Sequence, residues 1–265
     1  MGNLKLLAGF GIALLFSGTA LADYPQQAPR QQRPGFAIKD YAEITAASSP
    51  DNSYDAFTNL VDMSEQSIRL AAYMIRSPGL VDSLVGALDR GVDVTVLLDG
   101  WTVARPKAQK IDPIELYFAK RIVDAGGKVL YLRSNHGRRT DRRFRYLHAK
   151  YAVVDDSIFL SSENFANGGF SPTGTIGNRG WMTAIRNEAL AEDFRQIFDE
   201  DSSACAGFED IVEYGAHPDY TYVDNGEIPE NEADTGKYVG RPVVESSGMV
   251  RIERVVSPDD SLAPT

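Results

Sequence analysis

The 265-residue sequence holds one cysteine, three histidines and two tryptophans, and each shortage removes a class of explanation. Cys205 has no partner for an internal disulfide, and its acidic neighbours Asp199, Glu200, Asp201, Glu209 and Asp210 would raise a thiol pKa, which argues against a cysteine nucleophile. Basic charge is in deficit as well. A formal net charge of -10 argues against a binder of nucleic acid or anionic membranes driven by overall charge. No His, Asp and Glu grouping has metal-ligand spacing, no calcium-loop pattern is present, and no phosphate-binding glycine pattern follows a strand, so neither metal nor cofactor is expected. The pair Gly126-Gly127 reads as a helix C-cap.

The long apolar run is confined to the N-terminus. Residues 1–22 combine Lys5, an apolar core from Leu6 to Phe16 and the end Ala20-Leu21-Ala22, the pattern of a signal peptide cleaved after Ala22. That core is short for a membrane span, so export to the periplasm or outside the cell is expected. Residues 23–34 are rich in Pro and Gln and open a disordered lead-in that runs to residue 40.

Beyond it, helical and strand periods alternate. Ala56, Phe57, Leu60 and Val61 recur at helical spacing, and Ile68, Leu70, Ala72 and Met74 alternate as a strand. Ser77-Pro78 opens a second helix that Gly91 closes, and the apolar run 92–98 follows as a strand buried on both faces. That order implies a βαβ crossover with a parallel pair, and Asp99-Gly100-Trp101 then sits at the carboxyl end of a strand, where open α/β sheets place ligands. A helix from Pro113 and a strand at 128–132 complete an α/β pattern. Trp181 to Ile185 reads as a further strand, and Leu190, Phe194, Ile197 and Phe198 as a closing amphipathic helix.

The chemistry concentrates in residues 145–165, RYLHAKYAVVDDSIFLSSENF. Alternation from Tyr146 to Val154 predicts a strand with His148 and Lys150 side by side on one face. Asp155-Asp156-Ser157 is turn chemistry, and a return strand through residues 158–160 brings Ser162 and Asn164 back toward His148. One hairpin therefore gathers an imidazole nucleophile, a cation and two neutral hydrogen-bonding groups, a set suited to a phosphodiester. Upstream, Arg133, Arg138, Arg139, Arg142, Arg143 and Arg145 stand against the single acid Asp141, a local anion-attracting run within an acidic protein.

The spacing His-x-Lys-x4-Asp followed by Ser-x-Asn resembles the HKD signature of the phospholipase D superfamily. The AAYMIRSPGLVDSLVGALDRGVDVTVLLDG stretch looks like the opening of such a domain. The resemblance implies an α/β/α sandwich with a mixed, largely parallel sheet, forming one half of a pseudo-two-fold pair. It implies a phosphohistidine on His148, with Lys150 and Asp155 as the remaining HKD residues, Asp155 in an orienting and ion-pairing role, and Lys150, Ser162 and Asn164 on the phosphate. Two positions depart from the pattern. Ser161 replaces the usual Gly, and in Gly177-Asn178-Arg179-Gly180-Trp181 a glycine occupies the place of the acid that orients the histidine, leaving Glu163 or Asn178 for that support.

The phospholipase D-like domain is expected over residues 41–200, followed by an acidic irregular linker over 201–248. Residues 249–265 then read as the start of a second half, because Ser257-Pro258-Asp259-Asp260-Ser261 echoes Ser49-Pro50-Asp51-Asn52-Ser53. His136 and His217 lack Lys and Asp at the required offsets, so the second histidine is expected from a continuation of the chain or from a homodimer. Three readings follow: a phosphodiesterase acting on phospholipid headgroups by hydrolysis or transfer, a dimeric nuclease acting on DNA or RNA, and a non-catalytic anion-binding fragment.

Overall fold

The computed structural model describes residues 35–101, 111–133, 146–203, 211–226 and 240–254. The signal-peptide segment, Cys205, His136, the arginines at 138–145 and the echo at 257–261 lie outside the described residues.

Each expected helix forms. α1 (Ser53–Asp62), α2 (Pro78–Asp89), α3 (Pro113–Asp124) and α4 (Glu188–Ser202) bury one apolar stripe apiece. Proline opens α2 and α3 at a position where its missing N–H costs nothing. Asp112 caps α3 by accepting from the Ile114 N–H, and Asn187 caps α4 by accepting from the Leu190 N–H.

The strands are β1 (Ala37–Ser49), β2 (Ser67–Ala72), β3 (Ile75–Arg76), β4 (Asp93–Asp99), β5 (Lys128–Leu132), β6 (Lys150–Val154), β7 (Ser157–Ser161), β8 (Phe165–Ala166), β9 (Gly180–Arg186), β10 (Ile211–Glu213) and β11 (Val244–Glu253). Nine of them make one sheet in the order β10-β5-β4-β2-β6-β7-β9-β1-β11, while β3 and β8 form a separate parallel pair. The crossovers β2–α2–β4 and β4–α3–β5 give parallel neighbours, and every other pairing in the large sheet is antiparallel. The sheet is mixed as expected, but its parallel share is limited to β2, β4 and β5. There α2 and α3 return the chain to the same end, beside the strand it has just left; β6, β7 and β9 follow one another through connections that hold no helix, so each neighbour runs back.

Side-chain alternation sorts the core into two layers. Ile68, Leu70, Val94, Val96, Val129, Ala152 and Phe159 face α1, α2 and α3, whereas Ala71, Leu97, Leu130, Tyr151, Val153 and Ile158 face α4. This three-against-one arrangement is the helix–sheet–helix sandwich that the sequence implies.

The boundaries differ from expectation at both ends. β1 begins at Ala37, inside the expected lead-in, and its first residues pair only with β11, from Ala37↔Glu253 inward. The expected irregular linker at 201–248 contains β10, which covers the free edge of β5, and a tight turn at Pro218–Tyr220 that drives Tyr220 against Tyr131 with ring centroids 4.9 Å apart. Residues 244–253, expected as linker and second-half opening, are instead the outermost strand of this sheet. Their side chains are mostly exposed and none is buried, so their order comes from pairing with β1.

Candidate functional site

The carboxyl ends of β2, β4 and β5, the amino end of β6 and the carboxyl end of β7 lie at one edge of the sheet, and the candidate residues collect there. The strand expected from Tyr146 begins only at Lys150. The Leu147 N–H donates to Asp99 Oδ2 at 2.7 Å, so the approach to β6 is tied to the end of β4 through a side chain. Alternation persists nonetheless: Leu147 is buried with the α4 layer, leaving His148 exposed on the opposite side together with Lys150.

Tyr73, just beyond β2, supplies the floor. Its ring meets the His148 imidazole edge-on at 5.3 Å, and Lys150 Nζ lies 6.0 Å from the same ring centroid. Lys150 Nζ donates to the His148 carbonyl at 2.6 Å, which brings the ammonium to the histidine's own backbone. Partial burial, and secondarily the Lys150 charge, push the His148 pKa below its ordinary 6.5. Partial burial also lowers Lys150, opposed by the Glu163 carboxylate nearby. The shift at His148 favours the neutral imidazole, the form a nucleophile requires.

β7 and β9 carry the other half. The Ser162 N–H donates to Trp181 O at 3.0 Å and the Trp181 N–H donates to Ser162 Oγ at 2.9 Å, which fixes the serine and leaves its hydroxyl proton to donate elsewhere. Asn164 Oδ1 is buried without a hydrogen-bond partner among the described residues. A carboxamide so placed has unspent polar capacity. Glu163 and Asn178 meet at 3.4 Å through Oε2 and Nδ2. Arg179 pairs with the buried Asp51 at 2.6 Å, and Trp181 is 70% exposed.

Asp155 is not part of this assembly. It follows the last residue of β6, at the end opposite Lys150, and a five-residue strand separates the two ends by about 15 Å. Its carboxylate accepts the N–H groups of Glu65, Gln66 and Ser67 at 2.8, 3.0 and 2.8 Å, and its backbone has a φ of 50°, a left-handed turn that Asp tolerates. Asp155 thus fastens the hairpin turn to the start of β2 through these N–H groups.

Asp99 was visible in the sequence only as a position at a strand's end. It is 1% exposed and accepts both the Leu147 and Trp101 N–H groups, while burial raises its pKa to about 7. Its partner at residue 147 is 48 positions away, a link no local pattern records. Among the described residues there is no cluster able to hold a metal ion.

Residues 57–202 match the family model described as cardiolipin synthase, PLD-like domain. Among solved structures, the chain is similar to a phospholipase D family member, Nuc, from Salmonella typhimurium, with 24% identity, 60% of this chain and 93% of that one covered, and a TM-score of 0.46. It is similar also to NucT from Helicobacter pylori, with 17% identity, 63% and 99% coverage and a TM-score of 0.47. A phosphatidylserine synthase from Haemophilus influenzae aligns at 12% identity over 60% of this chain and 38% of that one, with a TM-score of 0.44. No curated protein matches the chain. The family match spans more than half of the sequence, and the protein belongs to the phospholipase D superfamily of phosphodiesterases.

Proposed function

We propose that the protein cleaves phospholipid headgroups by the two-step chemistry of its superfamily, with His148 as nucleophile. The observation that carries this reading is the exposed His148 held beside Lys150 at the strand ends where β2, β4 and β5 finish and β6 begins. An imidazole nitrogen attacks phosphorus, the N–P bond forms as the P–O bond to the headgroup breaks, and the departing oxygen takes a proton from a second histidine. Water then attacks phosphorus and returns a proton to that histidine; the P–N bond breaks, releasing the phosphate monoester and free His148. An alcohol in place of water gives transfer. Lys150 and Asn164, assisted by the Ser162 hydroxyl, hold the equatorial oxygens, where charge accumulates.

The second histidine belongs to a second phospholipase D-like half, in a longer chain or in another copy, because an alkoxide leaves slowly without an acid matched to neutral pH. Trp181 and, on the loop before β9, Ile176 at 51% exposure offer uncovered apolar surface that favours a lipid substrate. The arginine-rich sequence at 133–145 favours the nuclease alternative. Release of choline or another headgroup from phosphatidylcholine and anionic vesicles should be measured beside cleavage of single- and double-stranded DNA. Headgroup release by the wild type and its loss by at least a thousand-fold in His148→Ala are expected. DNA cleavage without headgroup release would overturn the lipid reading, and an active His148→Ala would overturn the nucleophile.

A further inference from the structure

We infer that Glu163, two residues beyond β7 and seated in a slot cut by Gly169 and Gly180, is the positioning carboxylate of this site, acting on the His148–Lys150 pair. The inference rests on the reading of His148 as nucleophile.

The hairpin register pairs Tyr151 with Leu160, and the same antiparallel step carried outward sets Lys150 across from Ser161 and His148 across from Glu163. On the other side β7 pairs Ser161 with Met182, and the next step in phase sets Glu163 across from Gly180. Counted outward from the two ladders, positions 148, 163 and 180 are thus in phase with one another, with 148 and 163 just beyond the ends of β6 and β7. Alternation puts them on the face of Ala152, Phe159 and Met182, the face on which Lys150 also lies.

Here the volume of one side chain is already taken. A Cβ added at Gly180 would fall inside the Glu163 side chain, 2.8 Å from Oε1, and a Cβ at Gly169 would lie 2.5 Å from Glu163 Cβ. Two glycines therefore vacate the space that Glu163 fills. Its backbone N–H donates to Ser161 Oγ at 2.9 Å, the Ser161 hydroxyl donates to its carbonyl, and Asn178 Nδ2 reaches Oε2 at 3.4 Å. Of the charged groups near Lys150, Glu163 is the one that raises its pKa, against burial, which lowers it. A carboxylate so confined keeps the ammonium charged and aimed at the histidine. The acid that the sequence pattern places at 180 is thus delivered into the same slot from the segment that follows β7.

The test compares wild type, Glu163→Gln, Glu163→Ala, Gly180→Glu and the double variant Glu163→Ala/Gly180→Glu, with His148→Ala as control. The assays are hydrolysis of a chromogenic phosphodiester and NMR titration of lysine side chains. Glu163→Gln should lower kcat by about 10- to 100-fold with little change in KM, and should shift the Lys150 titration to lower pH. Gly180→Glu alone should be impaired because two side chains compete for one volume. The double variant should recover at least ten-fold over Glu163→Ala, because the emptied slot accepts the carboxylate from β9. An unchanged Lys150 titration in Glu163→Gln, or a folded double variant no better than Glu163→Ala, would overturn the inference. Loss of activity in His148→Ala beside an unaltered Glu163→Gln would leave the nucleophile standing and remove Glu163 alone. Equal activity of wild type and His148→Ala would remove the nucleophile itself, while the lysine titration would still decide Glu163.

Discussion

Single residues in this fold are tuned by burial more than by formal pairing, and Asp99 is the clearest case. Its carboxyl holds a proton to about pH 7 when folded but releases it near 3.8 when exposed. The stabilisation is therefore complete below the unfolded pKa and is lost as pH rises through the folded one. The difference in thermal midpoint between wild type and Asp99→Asn should change steadily between about pH 4 and pH 7, disfavouring wild type as pH rises, and level off above. A pH-independent difference would mean that the acid is ionised throughout. At His148 the expected sign is the opposite of an acid partner's: burial and the Lys150 charge both depress it. NMR titration should place its pKa below 6.5 and find it raised in Lys150→Gln.

At the scale of elements, Asp155 changes from a signature residue to a structural clasp. Asp155→Asn retains tolerance for the left-handed turn but offers one acceptor oxygen where three N–H groups converge. It should lower stability by about 1–3 kcal/mol while kcat per folded molecule stays within about two-fold, as read from denaturant unfolding and assay on the same preparations. A collapse of kcat at unchanged stability would return Asp155 to the chemistry. This residue also shows where sequence reading stops. The helices, the apolar β4 and the β6–β7 hairpin were legible because each buries a periodic stripe, and His148 with Lys150 followed from strand parity alone. The partners of Asp155 lie some 88 to 90 positions earlier, and those of Asp99 include residue 147, so neither role leaves a local trace. β1 and β11 escaped for another reason. Their faces are largely exposed, and pairing, not burial, defines them.

For the whole molecule the decisive number is the single HKD motif within these 265 residues. If two copies share a site, adding excess His148→Ala protein to a fixed amount of wild type should suppress activity as mixed pairs form; a longer chain carrying both halves would be indifferent to the addition. The outer ribbon is anchored to the α4 side by Arg254, 1% exposed, which ion-pairs with Asp193 at 2.8 Å and donates its N–H to Phe36 O. Arg254→Ala should therefore destabilise by about 1–3 kcal/mol in denaturant unfolding, through the loss of the charge-assisted hydrogen bonds and packing of a buried side chain.

Because Ala37 stands across from Glu253, the chain enters and leaves the described fold at one corner. A pulling force applied between those two points would load the rungs of the β1–β11 ladder one after another, as a zipper is opened, and never several at once. The ribbon should thus be the first part to give way under tension, at low force, while the parallel strands beneath the site remain closed.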